Sequence, residues 1–565
     1  MPSSTTTTTN ALPTTTHNNN NPLLSSWKQP KAKRVLGVTS VTFLVYFNVC
    51  GGPWGSEEMI SDAGPLPGLI GICIFTSLWG LPLASMTSEL SSAFPDDGGY
   101  SLWVSEAFGP FWGFQESYYS WISGVVDNAI YPGLVYSAIV NVLAHGDTKW
   151  TQYMIEHPGY KYLAKLSIAT VFMLPNLFYV RGVGRSSAGL AVFVMLPFVI
   201  LIALSFPFLE PSRLLLPPWN AYSNTTNTTN TTNTTNTTNW LLASTPSSST
   251  NATSPAAFTN TTGYFGYPTT WTGGWGDLFS VLYWNLSGFD CISTCAGEVK
   301  DVGYTVPRAL AIAIALIVLT YVLPLSFATM ATDPTQVTSW GNDDGECSWS
   351  CIARNIGGEW IMYWVLVASI AGNGGMYIAE MFEDSWQLFG MAQIGIMPTV
   401  FGQRHPKFGT PFNAVLASYV LIAGLCYFDF MDNLSINNFF SCGSCILEIL
   451  AFLKLRIDRP LMPRPFCVPL GLRGICVFCF LPVVLGIVVL VSSCTQSWGA
   501  TIMNGVALLL GVVLFYTMRD YGGYTYNYNY KRKRLLSENL AAASTTEDEE
   551  GGDVNAVGGY GTLKQ

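Results

Sequence analysis

Twelve apolar runs, each on the order of 20 residues, follow one another along this chain. They lie at 36–60, 66–90, 111–141, 162–180, 187–209, 276–297, 309–330, 359–382, 411–430, 435–453, 473–493 and 498–518. A run of that length crosses the hydrocarbon core of a bilayer as a helix. In hydrocarbon every backbone N–H and C=O must find its partner within the protein, which leaves little choice of structure. The chain therefore reads as an all-α membrane protein with twelve transmembrane helices. Charged residues make up 11% of it, against about 25% in an average soluble domain, too few for a water-facing surface. Aromatic residues reach 14%, as belts at the two membrane–water interfaces require.

Two of the runs break in the middle. Gly51-Gly52-Pro53-Trp54-Gly55-Ser56-Glu57-Glu58 interrupts the first, and Asn285-Leu286-Ser287-Gly288-Phe289-Asp290 the sixth. Unwound backbone at membrane depth is tolerated only where it lines a cavity or is buried in protein. A pair of such breaks in the two halves of a membrane protein points to a transporter's binding site. The pattern suits a chain that moves a solute better than one that reacts with it. The chain has four histidines, and no nucleophile–base or metal spacing lies within the runs, so no enzyme activity, metal or cofactor is expected.

Orientation follows from lysine and arginine. With the N-terminus inside, all but five of the 26 basic residues fall on the inner side, the exceptions being Lys149, Lys161, Lys165, Arg213 and Arg354. That is a strong positive-inside bias and places both termini in the cytoplasm. The formal charge of −9 says little about partners, because much of it sits in the acidic tail around Glu547, and nucleic acid is not expected. Lys531-Arg532-Lys533-Arg534 can attract anionic lipid, although a plain positive-inside signal is the preferred reading. The first residues are Thr/Asn-rich with no apolar stretch before the first run, so no cleavable leader is expected.

The outer loop between runs five and six repeats Asn-Thr-Thr. It offers glycosylation acceptors at Asn224, Asn227, Asn230, Asn233 and Asn236, followed by Asn251 and Asn260. A polar repeat without a role is the bland alternative. Asn285-Leu286-Ser287 fits the same pattern but lies within a run. Thirteen cysteines form no metal framework: Cys442, Cys445, Cys476 and Cys479 read as packing residues. Cys347, Cys351 and Cys494 fall in outer loops, where a disulfide among them is permitted and its pairing open.

Charged residues at mid-bilayer cost about 2.5–3.5 kcal/mol on insertion scales and are usually functional. Here they are nearly all acidic: Glu57, Glu58, Asp127, Asp290, Glu298, Glu380 and Glu448. The same runs carry almost no lysine or arginine, so protons or a cationic guest must neutralise them. Each acid also has a structural reading. Glu298 can cap or pair within Glu298-Val299-Lys300-Asp301, Glu448 can pair with a basic loop residue, and one of Glu57 and Glu58 can face outward. Asp127, far from either interface, is the hardest to dismiss. At the first break Pro53 removes a backbone donor, while Glu57 and Glu58 follow where the helix dipole favours negative charge. A site with fewer donors for a carboxylate and acids of its own suits an amine head group. Trp121, Tyr283 and Trp284 lie close to these acids in sequence and can flank an ammonium, or simply pack.

The chain resembles the amino acid–polyamine–organocation superfamily, and most of all the polyamine and cationic amino acid permeases of plants and protists. The matching stretches include the first break, Phe94-Pro95-Asp96-Asp97-Gly98-Gly99-Tyr100, Gly109-Pro110-Phe111-Trp112-Gly113-Phe114-Gln115, Ser123 to Pro132, Trp284 to Val299, Asp384 to Ala392, and Lys454-Leu455-Arg456 leading to Arg464-Pro465-Phe466. The resemblance implies a LeuT-like fold with spans 1–5 and 6–10 as inverted repeats, helices 1 and 6 broken, and spans 11 and 12 peripheral. It divides the chain into an N-terminal cytoplasmic arm (1–34), a transporter domain (35–520) with an extracellular, glycosylatable insert at 210–273, and a cytoplasmic tail (521–565). It implies proton-coupled import of putrescine, spermidine and spermine across the plasma membrane, an endomembrane being the alternative; a partner subunit is not predicted either way. The substrate site is then expected at Gly51, Gly52, Gly55, Glu57, Glu58, Trp121, Asp127, Tyr283, Trp284, Asn285 and Asp290. Some superfamily members carry a coupling lysine in span 5, but 187–209 has no charge here. Asp127, Glu298, Glu380 and Glu448 are therefore the candidates for the proton. An arginine or lysine permease, and a non-transporting sensor or subunit, are the rival readings.

Overall fold

The computed structural model describes residues 34, 36–96, 98–143, 157–178, 183–215, 275–341, 347–393, 396–495 and 498–521. The proposed glycosylation acceptors, most of the N-terminal arm and most of the C-terminal tail lie outside them. Among the described residues there are helices and isolated bridges but no strands.

In chain order, α1 (Val38–Val49) and α2 (Glu58–Ala63) flank the first break, and α3 runs over Pro65–Ala93 with a π turn inside it. The short α4 (Gly99–Phe108) precedes the long α5 (Pro110–Leu143), then α6 (Pro158–Phe178) and α7 (Val183–Ser205). Next come α8 (Gly276–Asn285), the second break, and a 3₁₀ segment at Cys291–Glu298. The chain continues through α9 (Val302–Ala331), α10 (Trp349–Gly357), α11 (Glu359–Gln393), α12 (Phe412–Leu425), α13 (Phe430–Asp458), α14 (Leu472–Thr495) and α15 (Trp498–Tyr521). Each of the twelve apolar runs falls on one of these helices or on a broken pair.

Seven helical stretches are long and apolar enough to cross a bilayer by length and composition: Pro65–Ala93, Ala188–Phe208, Val302–Ala331, Glu359–Gln393, Phe430–Asp458, Leu472–Thr495 and Thr501–Met518. α1 and α12 are apolar but shorter. The exterior agrees with a multi-pass membrane protein. Ile74, Leu319, Val420, Val477 and Phe480 are all more than half exposed, an apolar surface that water would not sustain.

Helix ends follow local chemistry. Gly64, at φ +94°, ends α2 and leads directly into Pro65 at the first position of α3, the usual asymmetry of glycine after a helix and proline at its start. α5 occupies the centre, packed most extensively on α13 and α11, while α1 packs on α9. α14 and α15 are the least buried of the spanning helices, so they sit at the periphery.

The residues entering α1 pair with the end of the 3₁₀ segment: Leu36 N–H donates to the Glu298 carbonyl (3.0 Å) and Lys300 N–H to the Leu36 carbonyl (2.9 Å). Glu89 holds Arg456 and Arg464, and Glu106 holds Arg459. Elsewhere, Cys347, just before α10, and Cys351, within it, form a disulfide, while Cys494 is a free thiol.

Candidate functional site

The two breaks are built in different ways. At the first, α1 stops at Val49, and Gly51, Gly52 and Gly55 all take positive φ. The freed carbonyls are taken up by indoles. Trp54 Nε1 donates to Gly51 O (3.2 Å), and Trp349 Nε1 reaches across from α10 to Pro53 O (2.6 Å). At the second, α8 ends at Asn285, Gly288 turns the chain at φ +93°, and the 3₁₀ segment follows. The two regions pack closely: a Cβ on Gly55 would meet the Trp284 ring at 2.5 Å, and one on Gly288 the Asn48 carbonyl at 3.1 Å. Only glycine lets that ring close over the first break.

Between the breaks lies a cavity of about 70 Å³, bordered by the end of α1, the second break, α5, α9, α11 and α13. About 10–15 Å³ of such space admits one water, so it holds several. Five carboxyl side chains line it: Asp127 from α5, Asp290 from the second break, and Glu380, Glu383 and Asp384 from α11. Each is more than nine-tenths buried. Among the described residues, no lysine or arginine forms an ion pair with any of the five; the basic side chains pair instead with Glu89, Glu106, Glu210, Asp429 and Asp458.

Hydrogen bonds divide the acids into two groups. Trp284 Nε1 donates to Asp127 Oδ1 at 2.6 Å. The Tyr131 hydroxyl lies 3.0 Å from Asp127 Oδ2 and 2.8 Å from Glu380 Oε1. A phenol carries one proton, so it can donate to only one of these carboxyls. For both contacts to be hydrogen bonds, the other carboxyl must carry a proton and donate it to the phenol oxygen. The geometry of the trio thus has room for one further proton between the two carboxyls. One turn further along α11, Asn128 Nδ2 donates to Asp384 Oδ2 (3.0 Å), and Tyr100 Oη to Glu383 Oε1 (2.9 Å). Asp384 lies so close to α5 that a Cβ on Gly124 would meet its Oδ1 at 2.0 Å.

Of the residues expected from sequence, Asp127, Tyr283, Trp284, Asn285, Asp290 and Glu380 line the cavity. Gly51, Gly52, Gly55, Glu57 and Glu58 do not. Gly51 and Gly55 instead back Met376 and Trp284, which do. The Trp284 ring packs on Gly55, and the chain beyond it no longer borders the cavity; Glu57 and Glu58 are buried elsewhere. Trp121 also lies off the wall, its Nε1 donating to Ser418 Oγ at 3.0 Å. Glu298 is half-buried at the inner end of the 3₁₀ segment, outside the lining. Glu448 is fully buried just behind the wall, where Ser444 Oγ approaches it at 3.4 Å. The basic partner considered for it, Lys454, pairs with Asp458.

Tyr131, Glu383, Asp384, Asn128 and Tyr100 are absent from the sequence-derived site. One signal was available. Glu380, Glu383 and Asp384 stand at i, i+3 and i+4, the spacing that puts all three on one face of a helix.

The chemistry of the lining favours positive charge. Several buried carboxyls around one space, without an internal counter-charge, are satisfied only by protons or by positive groups from outside. Aromatic faces at Trp54, Tyr283 and Trp284 border the same space and suit an ammonium.

A sequence model of the amino acid permease family matches residues 36–513. A probable polyamine transporter of Arabidopsis thaliana is 34% identical over 491 residues, covering 86% of this chain and 88% of its own length. Polyamine transporter PUT1 of Oryza sativa subsp. japonica is 33% identical over 493 residues, 86% of this chain and 78% of its own. The vacuolar cationic amino acid transporter 8 of Arabidopsis thaliana is more distant, 24% identical over 236 residues, 41% of this chain and 38% of its own.

Proposed function

The chain belongs to the amino acid permease family, and from that membership we propose that it is a secondary active transporter that imports polyamines such as putrescine, spermidine and spermine, coupled to protons, by alternating access. The observation that carries the reading is the set of five buried carboxyls around one cavity with no basic partner among the described residues. A polyamine brings several ammonium groups to several carboxylates; an α-amino acid also brings a carboxylate, which this wall would repel. The two relatives named above as polyamine transporters support the same reading.

In this reading the twelve runs are twelve transmembrane helices with a LeuT-like 5+5 inverted repeat, and the two broken helices frame the substrate. Asp127, Asp290, Glu380, Glu383 and Asp384 receive the ammonium groups, and Trp284 and Tyr283 flank them. A proton held between Asp127, Tyr131 and Glu380 is the coupling proton. It enters from the same side as the amine, is held with it through the alternation, and leaves with it on the other side. Alternation then rocks the bundle that carries the breaks against its scaffold. The positive-inside bias supports cytoplasmic termini, and the plasma membrane is the proposed location.

Cells lacking their own polyamine uptake, expressing this chain, test the reading. Labelled spermidine is expected to accumulate, with unlabelled spermidine competing and excess free arginine competing poorly. Competition by arginine as strong as by spermidine would instead identify a cationic amino acid permease.

A further inference from the structure

Behind the cavity wall, the second break meets α13. Asp290 comes from the break, and Cys445 and Glu448, three residues apart on α13, present the same helix face to it. One ligand atom from each of the three lies within 4.8 Å of the others. Cys445 Sγ stands 4.0 Å from Asp290 Oδ2. All three side chains are more than nine-tenths buried, and Glu448 is wholly so. Its Oε2 accepts from no N–H, hydroxyl or thiol donor, its carboxyl faces that of Asp290, and no lysine or arginine forms an ion pair with it among the described residues. Two facing carboxyls that are both ionised repel each other, so the pair calls for a proton or a cation between them.

The donor set indicates which. A thiol next to two carboxyls is not a magnesium or calcium site, since those ions take oxygen ligands in larger number. Sulfur with carboxylate oxygen suits a thiophilic divalent ion. Zinc bonds of about 2.3 Å to sulfur and about 2.0–2.2 Å to oxygen set tetrahedral donors about 3.6 Å apart, close to the Cys445–Asp290 separation. We propose that Asp290, Cys445 and Glu448 bind a thiophilic divalent cation of the zinc and cadmium class at the edge of the cavity. Asp290 and Cys445 both line the cavity, which gives the ion its way in and a water for the fourth position. On binding, the Cys445 thiol gives its proton to cavity water and the sulfur bonds the metal as thiolate. Ser444 Oγ, which donates to Glu116 Oε1 at 3.0 Å and lies 3.4 Å from Glu448 Oε1, positions the carboxyl from behind. The ion pins the second break to α13.

The proposal does not rest on the polyamine reading, because binding is measured without transport. The purified full chain in detergent is titrated with cadmium chloride, following the sulfur-to-cadmium ultraviolet band and the bound stoichiometry, with zinc chloride as competitor. One saturable site is expected, displaced by zinc. Cys445→Ser removes its ultraviolet band, and Cys445→Ser and Glu448→Gln each weaken it at least about tenfold, the least that supporting residues cost in known metal sites. Cys476→Ser, at an exposed position on α14, leaves it unchanged. Either site variant suffices, provided its gel-filtration profile matches the unaltered chain. No saturable site, or one of unchanged affinity in a well-folded Cys445→Ser or Glu448→Gln chain, overturns the proposal.

Discussion

Asp127 accepts from Trp284 at 2.6 Å and lies 3.0 Å from the Tyr131 hydroxyl, which also contacts Glu380, so its charge and its geometry can be separated by substitution. Asp127→Asn keeps the shape and removes the negative charge. A hydrogen bond to a charged group contributes about 1.5–3 kcal/mol, so spermidine affinity is expected to fall about 10- to 150-fold. Surface expression should be unchanged; a variant that transports like the parent removes Asp127 from the site. Gly124→Ala acts one turn away. The added Cβ has no room beside Asp384 Oδ1, and overpacking of this kind costs about 1–3 kcal/mol. A lowered melting temperature together with weakened uptake is predicted, whereas a neutral result would show that Asp384 can move aside. Asp127 was legible from its mid-run position alone. Trp121 was not placed correctly by its nearness in sequence, because α5 turns it toward Ser418 on α12 rather than into the cavity.

Among the elements, the breaks were the most legible, since glycine and proline within apolar runs have few other uses. What they border was less so. The chain after Gly55 leaves the cavity wall, taking Glu57 and Glu58 with it. The second break regains its turns as a 3₁₀ segment rather than as α-helix. α11 shows why two of the five acids of the wall stayed hidden. Its apolar run ends near 382, but the helix continues to Gln393, and Glu383 and Asp384 sit in that polar extension. Polarity reads as a loop, while packing on α5 keeps it helical. The break is tested by Gly55→Ala. The residue would hold φ +74° and meet the Trp284 ring, at a cost of about 1–3 kcal/mol for the backbone alone. Uptake should fall while far-ultraviolet helicity is kept; full activity would mean that the Trp284–Gly55 contact does not set the site.

For the whole molecule, an apolar exterior around a carboxyl-lined centre is an arrangement for carrying positive charge through a bilayer. Two driving forces are available to it. Each positive charge gains about 2.3 kcal/mol per 100 mV on moving to a negative interior, so a polyamine can accumulate on the membrane potential alone. In the proposed mechanism, a proton held between Asp127, Tyr131 and Glu380 is the second. At a clamped potential, collapsing an inward proton gradient is predicted to slow uptake; uptake indifferent to it would leave a uniporter. The central claim, that these unpaired carboxyls move a polycation, is met most directly by the purified chain in proteoliposomes loaded with labelled spermidine from outside. Accumulation above protein-free vesicles, lost in Asp127→Asn, is predicted. Vesicles that accumulate nothing, or that accumulate equally with the carboxyl neutralised, would contradict it.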